Sequence, residues 1–393
     1  MRLSVRLAAI LGSVFIPGLA AVCSSGAAVA QESYHGPHSA QTLSAQELAV
    51  GLVHGTTQGA TVFLAGLVAF VALIWLPVGR VESSGQEKVI NLFCRWIWVL
   101  FGLLVVAGLA ELPLYAISAS GEALSSGVLE EALFDTRVGQ LWIVRLMLAI
   151  LTATLATYGA KLRRSVYGAD LRRSGYAANL RRSSYSWGAA IIVGALLLMT
   201  LTQQSHAAAE ESFLPFAADW LHVMAASLWM GGLLGFPILL IGPLRAMPAE
   251  TRAKQLGRTV RRFSTVAMIS VMTLIVTGLY ATLLHVPNLS ALIDTPYGRA
   301  LSMKLGLLIF LLALGAQNLR LRGRGPFGRL VSAELVLAIG IFVATGFLTS
   351  LPPADVAQQQ IVEQNHPNPS AHAPTAHSEG PVARPQQGGI IEK

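Results

Sequence analysis

The stretch Asp219-Trp220-Leu221-His222-Val223-Met224-Ala225-Ala226-Ser227-Leu228-Trp229-Met230-Gly231-Gly232 sets a carboxylate, an imidazole and an indole inside an otherwise apolar run. At about 100° per residue, Asp219, His222, Ala226 and Trp229 share one helix face, while Gly231 and Gly232 leave room for a second helix to come close. Ionisable groups on an apolar helix face a bundle interior or a wet cavity and mark functional sites. The other reading is an interfacial Asp and His that only cap the helix. His54, His206 and His285 fall within or at the ends of other apolar runs, as do Met199 and Met303. Cys23 and Cys94 are the only cysteines, so a thiolate cluster is unavailable and a metal would be held by nitrogen, oxygen or thioether.

The elements that must position these groups are membrane helices. The chain is 53% hydrophobic and only 12% charged, against the about 25% charged residues of soluble domains. Its formal charge of +8 comes from short basic clusters between apolar runs, which set orientation and do not form a nucleic-acid surface. No nucleic-acid partner is expected. Residues 1–30, with Arg2, Arg6, an apolar core and Ala28-Val29-Ala30, read as a cleavable signal peptide, followed by an extracytoplasmic segment over 31–49. Runs of spanning length then predict eight transmembrane helices, near 50–78, 95–117, 138–160, 187–206, 216–241, 264–286, 299–319 and 330–351. With the first span entering from outside, Arg80 and Lys88, the stretch from Lys161 to Arg182, that from Arg245 to Arg262, and that from Arg320 to Arg329 all fall inside. Both mature termini are therefore expected outside. The inner loop 161–186 holds a tandem Leu-Arg-Arg-Ser nonapeptide, read as a basic linker that can lie on anionic membrane lipid. The Pro- and His-rich tail 352–393 reads as disordered.

An internal echo divides the chain further. Thr136 to Gly139 with Arg145 is echoed by Thr295 to Gly298 with Lys304, Val106 to Leu109 by Val276 to Leu279, and Val53-His54 by Leu221-His222. The fold class expected is all-α and polytopic, with two parallel four-helix repeats over 50–206 and 207–351, and His54 facing His222 at one depth. On this topology every histidine lies on the outer side. Imidazoles and thioethers without thiolates suit copper as Cu+ or Cu2+. His54, His206, His222, His285, Met199 and Met303 are the candidate ligands. Met199 shares a face with His206 but sits about 10 Å deeper, which suits successive sites. Asp219, one turn before His222, is a ligand or the acceptor that fixes its tautomer, the second role being favoured. Arg145 and Lys304 snorkel or hold carboxylates such as Glu111. Glu334, near the inner end of the last span, is the candidate inner exit group.

Taken in order, Ser205-His206-Ala207-Ala208, the Asp219 to Gly232 stretch, Arg261-Arg262-Phe263-Ser264, Thr277-Gly278-Leu279-Tyr280, Thr295-Pro296-Tyr297-Gly298 with Lys304, and Leu348-Thr349-Ser350-Leu351-Pro352-Pro353 resemble the copper resistance protein D (CopD) family of bacterial inner-membrane proteins. Thr136 to Arg145 is similar to the same pattern. The resemblance implies copper uptake across the inner membrane, with His54, His206 and His222 as carried-over metal candidates and His285 beside them. It also implies a separate periplasmic CopC-like copper-binding partner, since 31–46 is too short to be one. Two other functions fit the residues: a copper-binding delivery factor without transport, and a b-type cytochrome holding haem between paired histidines. No Walker loop, nucleophile elbow or metalloprotease motif is present, so no enzymatic activity is expected.

Overall fold

A backbone in hydrocarbon must satisfy its own polar groups, and the apolar runs do so as helices. The computed structural model describes residues 45–78, 83–121, 123–167, 176–204, 213–245, 247–285, 296–321 and 327–350. The signal-peptide reading of 1–30 and the tail 352–393 lie outside these residues. Helix α1 spans Ala45–Ala69 and continues through a π-helical turn, Phe70–Trp75, into Leu76–Val78. Then follow α2 (Ser83–Ser120), the short α3 (Ser126–Phe134), α4 (Arg137–Tyr167) and α5 (Tyr176–Thr202). Helix α6 (Phe213–Gly235) repeats the pattern of α1, passing through a π-helical turn, Phe236–Leu240, into Ile241–Arg245. Last come α7 (Ala249–His285), α8 (Pro296–Leu321) and α9 (Phe327–Ser350).

The chain is a multi-pass membrane protein, all-helical over the described residues. Seven of its helices are long and apolar enough to cross a bilayer. Helix α9 coincides with the eighth expected run, and its described apolar stretch, Ala333–Gly346, is shorter than a span. Helices α2 and α7 begin well before their apolar cores. Those starts are amphipathic, and ion pairs such as Lys254 Nζ to Glu250 Oε1, 2.6 Å and one turn apart, support them in water. The basic linker is likewise partly helical, carried by α4 to Tyr167 and resumed by α5 at Tyr176, in keeping with the good helix propensity of Leu and Arg. Arg164 pairs there with Glu87 at 2.5 Å, joining the C-terminal part of α4 to the N-terminal part of α2.

Helices α1 and α6 form the centre and are the most buried of the spans. They cross in parallel. Ser227 Oγ donates to the Val62 carbonyl at 3.0 Å, and one turn further Gly66 and Gly231 bring the two backbones into contact, where a Cβ on either would collide with the other helix. About three turns nearer the N-terminus of α1, Gly55 admits the Phe342 carbonyl of α9, and Gly346 meets the backbone at Gly51 and Gly55. Pro77 has no N–H to offer the Leu73 carbonyl, and Arg262 Nε of α7 donates to that oxygen at 2.6 Å. This bond ties the N-terminal half of α7 to the π turn of α1.

Candidate functional site

His54 stands in the N-terminal part of α1. Its Nδ1 lies 2.6 Å from Glu111 Oε1 of α2, and the pair is largely buried, with 19% and 15% of the two side chains exposed. A carboxylate can only accept, so Nδ1 carries the proton. Gln58, one turn along α1, presents its amide nitrogen to Nε2 at 3.0 Å, leaving that nitrogen as the lone-pair atom. Behind Glu111 stands Arg145 of α4, 1% exposed and within Coulombic reach of the carboxylate. The guanidinium is fixed from its other side by α5, donating from Nε to Thr200 Oγ1 at 3.0 Å, from Nη2 to the Thr200 carbonyl at 3.1 Å, and from Nη2 to Gln204 Oε1. Thr136 caps α4 by accepting from Gly139 N at 3.1 Å, and this helix start sets the depth of Arg145.

His222 is built in the same manner from different residues. Its Nδ1 lies 2.9 Å from Thr277 Oγ1 of α7. The single hydroxyl proton of Thr277 is already committed to the Thr273 carbonyl at 2.7 Å, so the oxygen accepts from Nδ1–H and His222 Nε2 is again the lone-pair atom. Gly278 of α7 faces the imidazole edge, and a Cβ there would sit 3.6 Å from its Cε1, in ordinary van der Waals contact. Lys304 of α8 lies within Coulombic reach of both His222 and Asp219. Two groupings thus each bring together an imidazole, a carboxylate and a cation: His54, Glu111 and Arg145, then His222, Asp219 and Lys304.

Because α1 and α6 cross in parallel, depth can be compared directly. His54 precedes Val62 by eight residues and His222 precedes Ser227 by five, about 12 and 8 Å toward the N-terminal ends of their helices. The other expected site residues are scattered. Met199 of α5 is half-buried, and Met303 of α8 is 63% exposed on an outward apolar face. His206 lies outside the described residues, and so does the side chain of His285, the last residue of α7. Glu334 is buried near the start of α9 at 4% exposure. Among the described residues no three of the His, Cys, Asp and Glu side chains gather closely enough to hold a metal ion. The sequence reading paired Glu111 with a cation but not with His54, and did not assign Thr277 or Gln58 a role. The echoed Val-Thr-Gly-Leu segment was the one available signal for Thr277.

Residues 44–171 match the family model described as copper resistance protein D-like, N-terminal domain, and residues 257–348 match that of copper resistance protein D. The first match contains His54, Glu111 and Arg145; the second contains Thr277 and Lys304, while Asp219 and His222 fall between the two. The chain is 29% identical over 309 residues to the copper transport protein CutJ of Bacillus subtilis (strain 168), which covers 76% of this chain and 53% of that protein. It is 29% identical over 133 residues to the copper resistance protein D of Pseudomonas syringae pv. tomato, covering 32% of this chain and 42% of that one. The chain therefore spans about half the length of the curated relatives it matches. No solved structure matches it.

Proposed function

Since this chain belongs to the copper resistance protein D family, we propose that it carries copper inward across the bacterial inner membrane, with eight spans and both mature termini in the periplasm. The observation that supports this reading best is the pair of histidines on α1 and α6, each anchored at Nδ1 by a neighbouring helix, with the Nε2 lone pair of His54 held by the Gln58 amide. Imidazoles oriented through Nδ1 by partners on neighbouring helices are suited to take a metal at Nε2, the Gln58 amide giving way at His54. Copper is the cargo. His54 and His222 receive it, His206 and His285 at the outer ends of neighbouring spans assist, and Met199 offers a deeper thioether; Met303 takes part only if α8 turns inward. Asp219 and Glu111 offset the charge of Lys304 and Arg145, so that a cation at the histidines does not face two bare positive groups. Glu334 serves the inner exit. A separate CopC-like periplasmic protein is the proposed donor of the ion.

The reading is tested by metal analysis and a visible spectrum on purified protein, wild type beside His54→Ala/His222→Ala, followed by copper accumulation in cells. Copper bound by the wild type and lost in the variant, together with variant-sensitive accumulation, supports transport. Binding without accumulation makes the protein a delivery factor. A Soret band that disappears in the variant replaces both with electron transfer.

A further inference from the structure

Two glutamines at the opposite end of the bundle carry a feature that the outer site does not explain. Gln86, in the first turns of α2, and Gln255, in the second turn of α7, are 2% and 1% exposed. In both, the amide nitrogen and the amide oxygen lack a hydrogen-bond partner among the described residues. A buried carboxamide is unfavourable unless something pairs with it, and unpaired buried groups are rare enough in folded proteins that each calls for a cause. Here there are two, and they are related. The step from Gln86 to Gln255 is 169 residues, against 168 from His54 to His222 and 170 from Gly108 to Gly278, so they occupy equivalent positions in the echoed halves.

Their surroundings are equivalent as well. The helix bearing Gln86 packs against the π turn of α6 and its extension Ile241–Arg245, and the helix bearing Gln255 packs against the π turn of α1 and its extension Leu76–Val78. Each glutamine therefore stands on a helix laid against the other half's π turn, where the regular hydrogen-bond ladder is interrupted. Beside Gln86, Gly85 faces the buried Met247 thioether so closely that a Cβ would strike its methyl group.

We infer that Gln86 and Gln255 line two water-accessible vestibules at the inner ends of the halves, where their carboxamides bind water and, during passage, the hydrated cation. A neutral carboxamide offers one acceptor and two donors and no fixed charge, which suits a hydrated ion in transit better than a tightly held bare one. The passage clause rests on the copper reading above; the hydration clause does not.

The test uses the full chain with Cys23→Ser and Cys94→Ser, carrying Gln86→Cys or Gln255→Cys, in inside-out vesicles treated with a membrane-impermeant charged methanethiosulfonate. Exposed Lys88→Cys and fully buried Val89→Cys are the references. Both glutamine positions should react at least about a hundredfold faster than Val89→Cys, because thiol labelling requires solvent contact. Rates equal to that of Val89→Cys overturn the vestibules. Hydroxyl-radical footprinting of the unmodified protein is the second measurement: Met247 should oxidise about tenfold faster than the equally apolar, buried Met230, and equal protection would count against the proposal. Gln86→Leu/Gln255→Leu should keep the copper bound at His54 and His222 while accumulation falls about tenfold. Unchanged accumulation overturns the passage clause. Labelling of Gln86→Cys and Gln255→Cys, beside a wild type that neither binds nor accumulates copper, overturns the copper reading and leaves the vestibules standing.

Discussion

His54 takes its anchor from a carboxylate and His222 from a hydroxyl, although the two histidines occupy echoed positions. The residue that echoes Thr277 is Ala107, which cannot accept a hydrogen bond, and in that half Glu111, one turn further out on α2, does so instead. A carboxylate brings charge with it, and buried Arg145 supplies the balance. Removing either anchor should therefore act on copper through the imidazole. Glu111→Leu and Thr277→Val are each expected to weaken copper binding about 10- to 100-fold, while Thr277→Ser retains it, measured by competition against a chelator of known affinity. Glu111→Leu also strands the Arg145 charge and should destabilise the fold by about 3–5 kcal/mol; Glu111→Leu/Arg145→Met should recover much of that loss in thermal melts. The histidines were legible in the sequence because an imidazole stands out in an apolar run. Their anchors were not, because Glu111 lies 57 residues from His54 and Thr277 lies 55 from His222, and helix rotation alone does not say which polar group turns toward which.

The spans were legible for a physical reason that needs no partner: about 20 apolar residues suffice to identify a membrane helix. The ends and interruptions were harder to read. Phe70 to Trp75 is apolar on every face, so a π turn within it breaks no visible periodicity, and Arg262 gives no sign in sequence that it will seek the Leu73 carbonyl. The contact of α1 with α6 depends instead on what is missing at Gly66 and Gly231. Gly231 was readable as a place of close approach, but its partner Gly66 was not. Gly66→Leu or Gly231→Leu should force the central helices apart and lower the thermal midpoint in detergent sharply. Gly102→Leu, at a position open on all sides, should leave it nearly unchanged. Equal melting of all three variants would mean that the crossing is not what holds the centre together.

At the scale of the whole molecule, orientation follows from basic residues gathered at one end of the bundle, where Arg164 meets Glu87 and Arg262 meets Leu73. Both mature termini should then be periplasmic: alkaline phosphatase fused after Lys393 is expected to be active and a fluorescent-protein fusion at the same position dark. The reverse pattern would invert the assignment of receiving and releasing ends. The Gly66–Gly231 contact has one more consequence. There the two backbones touch directly, one turn from the Ser227–Val62 hydrogen bond, and the contact lies on the C-terminal side of both histidines along their helices. In a rigid tilt about this contact, α1 and α6 would act as levers. A tilt of about 10° would shift the arms carrying His54 and His222 by roughly 2 to 3 Å, given a rise of about 1.5 Å per residue, and would swing the two π turns the opposite way. Loosening the outer grip and opening the inner end would then be one motion.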